Sequence, residues 1–264
     1  MSATPTDHPP VLIAPDGFGG ELRAPVVAAA IARGLEHAGV IPPPELCPVS
    51  SGGAGTSEVL LPALGGETGD GFALVEDGGT AIVELASSEE LTAQRLVAAA
   101  ASGAEVVLLA AGRGPGRSRA TTPAAGSELL AALAEHGGLR GTALVVLCDP
   151  RAPGALAARL RDASGARLVS GVSFVLDALD FDARMRAARA VIVGDARLER
   201  GTLQGRVAGE IATRARQSGV PCHAVTGADA IDRFDARILD LQAIVEAATI
   251  TELEAAGEAI AAAL

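Results

Sequence analysis

Three aspartates in this sequence, Asp16, Asp149 and Asp195, each follow a short apolar run and could do acid–base or metal chemistry. A carboxylate can accept the proton of a substrate hydroxyl, and it can bind a hard divalent cation such as Mg²⁺. We therefore take all three as candidate catalytic residues, and Asp149 and Asp195 also as candidate metal ligands. Any one of them alone could equally serve as a helix cap or a turn residue.

A glycine-rich turn at Ser51–Thr56 could bind an anion. Glycines let the backbone approach a phosphate closely, and the start of a helix favours negative charge. The backbone of Gly52, Gly53 and Gly55, together with Thr56, is therefore a candidate contact for a phosphate or a carboxylate. The alternative interpretation is a tight turn that leads into a helix.

A second glycine-rich segment, residues 112–116, does not have the glycine spacing of a dinucleotide-binding loop, because its third glycine is misplaced and Pro115 interrupts it. Arg113, Arg117 and Arg119 could still clamp a phosphate with their planar guanidinium groups. The alternative for this stretch is a solvated loop.

Composition excludes several classes of function. The 264 residues carry a net charge of -11 and no lysine, so all 21 basic side chains are arginine, and no phosphate-binding or Schiff-base lysine exists. The absence of a basic block argues against nucleic acid and anionic membrane as partners. Three widely spaced cysteines predict a reducing, cytoplasmic setting, and the polar, proline-containing start of the chain is unlike a signal peptide.

The elements that must position these residues alternate between strand and helix, which is typical of an α/β fold with parallel sheets. Asp77–Gly79 separates two strand-like runs and predicts an antiparallel hairpin. The chain closes with a predicted helix, 251–264, in which Thr251 and Glu254 have the spacing of a capping box. Ligands of open α/β sheets bind beyond the carboxyl ends of the strands, which is where the three aspartates are predicted to lie.

The domain organisation follows from the hairpin near residue 70 and the return of the opening rhythm near residue 185. We predict a Rossmann-like domain with a parallel sheet over 1–69 plus 186–264. A second, smaller α/β domain with a mixed sheet is inserted over 70–185.

Several segments, taken in order, resemble the bacterial type I glycerate kinases. These segments are 11–20, 51–56, 80–86, 103–112, 146–149 and 191–206. The last of them is the most specific, because Gly194, Arg197, Thr202, Gly205 and the basic Arg206 align with the family pattern without gaps.

The resemblance implies an ATP- and Mg²⁺-dependent phosphorylation of glycerate or a related hydroxy acid, with the substrate in the cleft between two α/β domains. It implies that Arg197 and Arg206 hold a phosphate or the substrate carboxylate, and that Asp16 or Asp149 acts as the base or binds the metal. Such a protein is expected to bind small molecules, and the sequence leaves open whether it forms a homo-oligomer.

The sequence also departs from the family pattern. Gly17 and Gly19 replace a serine and a lysine, and Ser51 and Ala54 replace an acidic pair. A long family segment that follows Asp149 is absent. These losses keep two alternatives open, namely a catalytically inactive paralogue that binds a nucleotide or acid metabolite or regulates a partner, and an unrelated α/β enzyme.

Overall fold

The structure is a computed structural model that describes residues 8–20, 22–112, 125–203 and 205–264. Backbone packing divides the chain into two compact units. The first comprises 1–49 and 179–264, and the second comprises 50–178, so that the second unit interrupts the sequence of the first.

The first unit contains a parallel sheet, with five strands among its described residues. The strands are β1 (Val11–Pro15), β2 (Glu45–Leu46), β9 (Ala190–Asp195), β10 (Cys222–Thr226) and β11 (Leu241–Glu246). They lie in the order β11-β10-β9-β1-β2, and every neighbouring pair is parallel. All residues of β1 are buried, as expected for a strand covered on both faces.

Helices cover this sheet. They are α1 (Ala24–His37), α7 (Phe181–Ala187), α8 (Val207–Ser218), α9 (Arg233–Leu239) and α10 (Ile250–Ala261). The contact between α1 and α10 depends on two glycines, Gly34 and Gly257. A Cβ atom on Gly34 would overlap the Glu254 carbonyl, and one on Gly257 would overlap the Ile31 carbonyl. The two helix backbones therefore pack at a distance that only glycine allows.

The second unit contains a mixed sheet, with six strands among its described residues. The strands are β3 (Gly66–Thr68), β4 (Ala73–Val75), β5 (Thr80–Glu84), β6 (Val106–Ala110), β7 (Ala143–Cys148) and β8 (Arg167–Ser170), in that order across the sheet. The first three are antiparallel neighbours, whereas β5 to β8 run parallel. Its helices are α2 (Thr56–Leu64), α3 (Glu89–Ala101), α4 (Ser127–Glu135), α5 (Ala155–Ser164) and α6 (Gly171–Ala178).

The predicted α/β fold, with one parallel and one mixed sheet, is confirmed. The hairpin prediction is also confirmed, because β4 and β5 are antiparallel and Asp77 accepts hydrogen bonds from the Gly79 and Thr80 amides in the turn. The packing groups 50–69 with the second unit, since α2 contacts β4 and β5 and β3 pairs with β4. It groups 179–185 with the first, which differs from the predicted boundaries at both ends of the insertion.

The predicted capping box of the last helix is wrong. Thr249 is the N-cap of α10, and its side chain and that of Glu252 bond reciprocally to each other's backbone amides. The spacing of three residues also fits Thr251 and Glu254, but the chain enters the helix one half-turn earlier, where Thr249 has extended backbone angles.

Among the described residues, no helix combines the length and the apolar character that a bilayer crossing requires.

Candidate functional site

Asp16 and Asp195 lie together at the carboxyl edge of the sheet in the first unit. Asp16 directly follows β1, and Asp195 ends the neighbouring strand β9, where Pro15 is paired with Gly194. The Asp16 amide donates a 2.9 Å hydrogen bond to the Gly194 carbonyl, which continues the ladder past the end of β1. Parallel pairing therefore brings together two carboxyl groups that are 179 residues apart in the chain.

The environment of these two carboxyl groups favours their protonated forms. Burial, together with the neighbouring charge of Asp195, raises the pKa of Asp16 to about 7, although a 2.7 Å hydrogen bond from the Gly17 amide opposes the shift. Burial also raises the pKa of Asp195, against the Arg197 amide and the charge of Arg206. A carboxyl group that titrates near neutral pH can take up and release a proton under physiological conditions.

Arg197 and Arg206 lie beside this pair and share one partner. Glu199 accepts a 3.1 Å hydrogen bond from Arg197 Nε and a 2.6 Å hydrogen bond from Arg206 Nη2. The Arg197 amide also donates to Asp195 at 3.2 Å. Glu199 thus engages both guanidinium groups that the sequence assigned to a phosphate or carboxylate, and an incoming anion would compete with it.

In the second unit, the glycine-rich loop lies across the carboxyl ends of the parallel strands. A Cβ atom on Gly52 would lie 2.6 Å from the Gly171 Cα, just after β8, and 3.0 Å from the Leu147 Cβ on β7. A Cβ atom on Gly53 would lie 3.2 Å from the Gly112 Cα, just after β6. The loop therefore packs backbone against backbone along the sheet edge where α/β proteins bind ligands.

Most polar groups of this loop are already engaged within the unit. The buried Thr56 hydroxyl lies 3.0 Å from Ser50 Oγ and donates to the Gly53 carbonyl at 2.6 Å. The Gly52 amide donates to Ser50 Oγ at 3.2 Å. The Gly55 amide donates to the Glu84 carboxylate at 3.1 Å. Of the three glycine amides that were predicted to contact an anion, that of Gly53 has no acceptor among the described residues.

Asp149 belongs to the second unit, whereas Asp16 and Asp195 belong to the first. It follows β7, and its carboxylate accepts a 3.0 Å hydrogen bond from the Arg151 amide. Within the described ranges, no group of three or more histidine, cysteine or acidic side chains is placed to hold a metal ion. Arg113, Arg117 and Arg119 lie outside the described residues.

Comparison with known proteins identifies the family. The model of the glycerate kinase family matches residues 11–140 and 150–263. The chain belongs to the glycerate kinase family. No curated protein sequence matches it significantly.

A solved structure shares the fold of this glycerate kinase family member. The crystal structure described as "putative glycerate kinase 2" from Salmonella typhimurium LT2 superimposes with a TM-score of 0.71 and 19% sequence identity, over 97% of this chain and 98% of that one. A second match, described as a "putative dihydrodipicolinate synthetase" from Pseudomonas aeruginosa, has 16% identity over 97% of this chain and 76% of the other. Its TM-score is 0.21.

Two carboxylates of this family member were missed by the sequence analysis. Glu84 and Glu89 bond to the starts of α2 and α4, respectively. Their partners lie 27 to 40 residues away in the chain, so no local pattern connects them. The one available signal was the glycine directly before each helix, Gly55 and Gly126, which leaves the helix start without a capping side chain of its own.

Proposed function

We propose that this family member is a small-molecule kinase that transfers the γ-phosphoryl group of ATP to a hydroxyl of glycerate or a related hydroxy acid. The observation that supports this most strongly is the half-buried Asp16 carboxyl group with a pKa of about 7. It lies at the carboxyl edge of a parallel sheet, beside a second carboxyl group and two arginines.

In the proposed reaction, the Asp16 carboxylate accepts the hydroxyl proton while the hydroxyl oxygen forms its bond to the γ-phosphorus and the bond to ADP breaks. Arg197 and Arg206 are positioned to bind an anionic group, either the substrate carboxylate or a phosphate, in exchange for Glu199. Burial holds the pKa of Asp16 high, and the neighbouring charge of Asp195 adds to this effect.

The donor set of the first unit fits a magnesium ion. Mg²⁺ is commonly held by one or two carboxylates together with substrate phosphates and water. The charge of Asp195 disfavours ionisation of Asp16, and a bound divalent cation would offset this repulsion. When bound, Mg²⁺ supplies charge neutralisation for the transferred phosphoryl group. Asp195 is the ligand we propose in the first unit, and Asp149 remains the proposed ligand in the second.

A second candidate function has its own support. A catalytically inactive paralogue that binds a nucleotide or an acid metabolite has no need of groups for phosphoryl transfer. Its arginines and backbone amides can therefore form hydrogen bonds with carboxylates of the same chain. Glu199 engages both arginines, and Glu84 engages the start of α2, so internal carboxylates already occupy two places where an anionic substrate would bind.

Small-molecule ligands and a cytoplasmic location form part of the same proposal. The net charge of -11 disfavours nucleic acid and anionic membrane as partners. Three buried thiols, Cys47, Cys148 and Cys222, all remain unpaired, as is typical of a reducing compartment.

The deciding experiment is the formation of phosphoglycerate from D-glycerate and MgATP, followed by mass spectrometry. We expect time-dependent product with the natural sequence and a decrease of about 10²- to 10⁴-fold in Asp16→Asn, because the proton acceptor is lost. Asp162→Asn is the control, since Asp162 is exposed and pairs with the adjacent Arg161. We expect its activity to be unchanged.

Absence of product above a heat-inactivated sample would contradict the kinase proposal. Calorimetric titration with MgATP and with D-glycerate would then test the inactive paralogue, which is expected to bind at least one of them without turnover. Equal activity of Asp16→Asn and Asp162→Asn would leave a kinase but remove Asp16 as its base.

A further inference from the structure

Two helices of the second unit begin in the same unusual way. Gly55 precedes α2 and Gly126 precedes α4, and both glycines have left-handed backbone angles, with φ of 84° and 90°. Neither offers a side chain to cap the helix. The free amides at a helix start must nevertheless find acceptors when they are shielded from water.

In both cases a distant glutamate supplies the acceptors. Glu84 accepts from the Gly55 amide at 3.1 Å, from the Ser57 amide at 2.9 Å and from the Ser57 hydroxyl at 2.7 Å. Glu89 accepts from the amides of Gly126 and Leu129, each at 2.9 Å. A carboxylate at a helix start is also stabilised by the helix dipole.

The two glutamates belong to one short connection, which joins β5 to α3. Glu84 is the last residue of β5 and is paired with Ala110 in the sheet. Ser88 caps α3, accepting from the Leu91 amide, and the Ala86 amide bonds to Thr92 on the same helix. Since both ends and the middle of the connection are held, the separation between its two carboxylates is fixed.

We propose that Glu84 and Glu89 are a pair of positioning residues, which hold the glycine-rich loop before α2 and the start of α4 in one fixed arrangement at the carboxyl edge of the sheet. The first of these segments carries the Gly53 amide, which has no acceptor in the part of the chain that the structure describes. The positioning role rests on the proposed function, because the Ser51–Thr56 loop is a candidate contact for a phosphate of the nucleotide.

Hydrogen exchange of the full-length protein, followed by mass spectrometry, tests the pair without depending on activity. In Glu84→Gln, one oxygen acceptor is lost, so exchange at 55–57 is expected to accelerate about tenfold or more. Because the connection is shared, we also expect acceleration at 126–129. Glu89→Gln is expected to accelerate both segments as well. Glu90→Gln is the matched control, since Glu90 is the adjacent residue of α3 and is exposed, and it is expected to accelerate neither.

Acceleration confined to the helix that each glutamate contacts would overturn the paired role and leave two independent caps. If Glu84→Gln fails to fold, Ser57→Ala removes one of the three hydrogen bonds to Glu84 and takes its place, with the same cross-effect expected.

Calorimetric titration with MgATP completes the test. If Glu84 and Glu89 act as a pair of positioning residues, Glu84→Gln and Glu89→Gln are each expected to weaken MgATP binding about tenfold, whereas Glu90→Gln is not. Unchanged binding in all three variants would overturn the positioning role. If the natural sequence neither binds MgATP nor forms phosphoglycerate, the proposed function fails, and the exchange experiment by itself decides whether the two segments are coupled.

Discussion

The carboxyl edges of the two sheets carry acidic residues in opposite electrostatic settings. In the first unit, burial raises the pKa of both Asp16 and Asp195, and the charge of Asp195 raises the pKa of Asp16 further. In the second unit, Glu84 and Glu89 each accept hydrogen bonds from the start of a helix. The first edge holds buried carboxyl groups whose pKa is raised, whereas the carboxylates of the second edge are hydrogen-bonded to backbone amides.

This difference distinguishes carboxyl groups that are suited to acid–base or metal chemistry from carboxylates that stabilise the local structure. A carboxyl group whose charge is poorly compensated can exchange a proton or recruit a cation. A carboxylate that is surrounded by backbone amides has its acceptors filled and contributes to the position of the segments it holds. On this basis the first edge is the better place for acid–base chemistry.

The largest expected effect is a change in the pH dependence of stability when the Asp16 carboxyl group of the first edge is removed. Between pH 4 and 7 the Asp16 carboxyl group ionises in the unfolded chain but stays protonated in the folded protein, because its folded pKa is about 7. The contribution of protonated Asp16 to the free energy of unfolding is therefore fully present below pH 4 and is lost as the pH rises to 7. Asp16→Asn removes this dependence, so that the variant is expected to be more stable than the natural sequence by about 3–4 kcal/mol at pH 8.

Urea unfolding of both proteins at pH 4.5 and pH 8 measures this difference. We expect nearly equal free energies of unfolding at the lower pH and a clear advantage of Asp16→Asn at the higher pH. An equal difference at both pH values would show that the pKa of Asp16 is not raised in the folded protein.

The next effect concerns the packing of the second edge. Gly52→Ala places a methyl group against the Gly171 backbone and adopts a φ of 81°, which is strained for alanine. We expect a loss of about 2–4 kcal/mol in the free energy of unfolding. Gly55→Ala is the control, because its φ of 84° imposes the same strain while the space around it is open, and about 1 kcal/mol is expected. Similar losses for the two variants in urea unfolding would contradict the close backbone packing of Gly52.

The smallest expected effect is a shift in the pKa of Asp195 at the first edge when a neighbouring charge is removed. Arg206 lowers and Glu199 raises the pKa of Asp195. Arg206→Gln should therefore move the pKa of Asp195 up, and Glu199→Gln should move it down. Because these side chains are partly exposed, each effect is about 1 kcal/mol or less. Carboxyl-carbon NMR titration of Asp195 checks both signs, and a shift of the same sign in both variants would remove the direct charge interaction.

The strand ends that carry the candidate site residues were predictable from local sequence. The polar residues after β1, β7 and β9 marked the strand ends, because a buried parallel strand is a short apolar run and its ligand-binding edge is not. The pairing of Asp16 with Asp195 was not predictable in detail, since strand order decides which carboxyl ends are neighbours. By contrast, the predicted domain bounds already separated Asp149 from Asp16 and Asp195.

The sequence by itself determined the α/β rhythm and the hairpin at Asp77–Gly79, because each depends on residues that are close in the chain. Its motifs, taken in order along the chain, also indicated the glycerate kinase family. Only the tertiary structure decided which charges are compensated. Gly55 finds its carboxylate 29 residues away, and Asp16 meets its repelling neighbour on another strand. Solvation and charge act through space, so the same type of side chain becomes a candidate base at one sheet edge and a fixed support at the other.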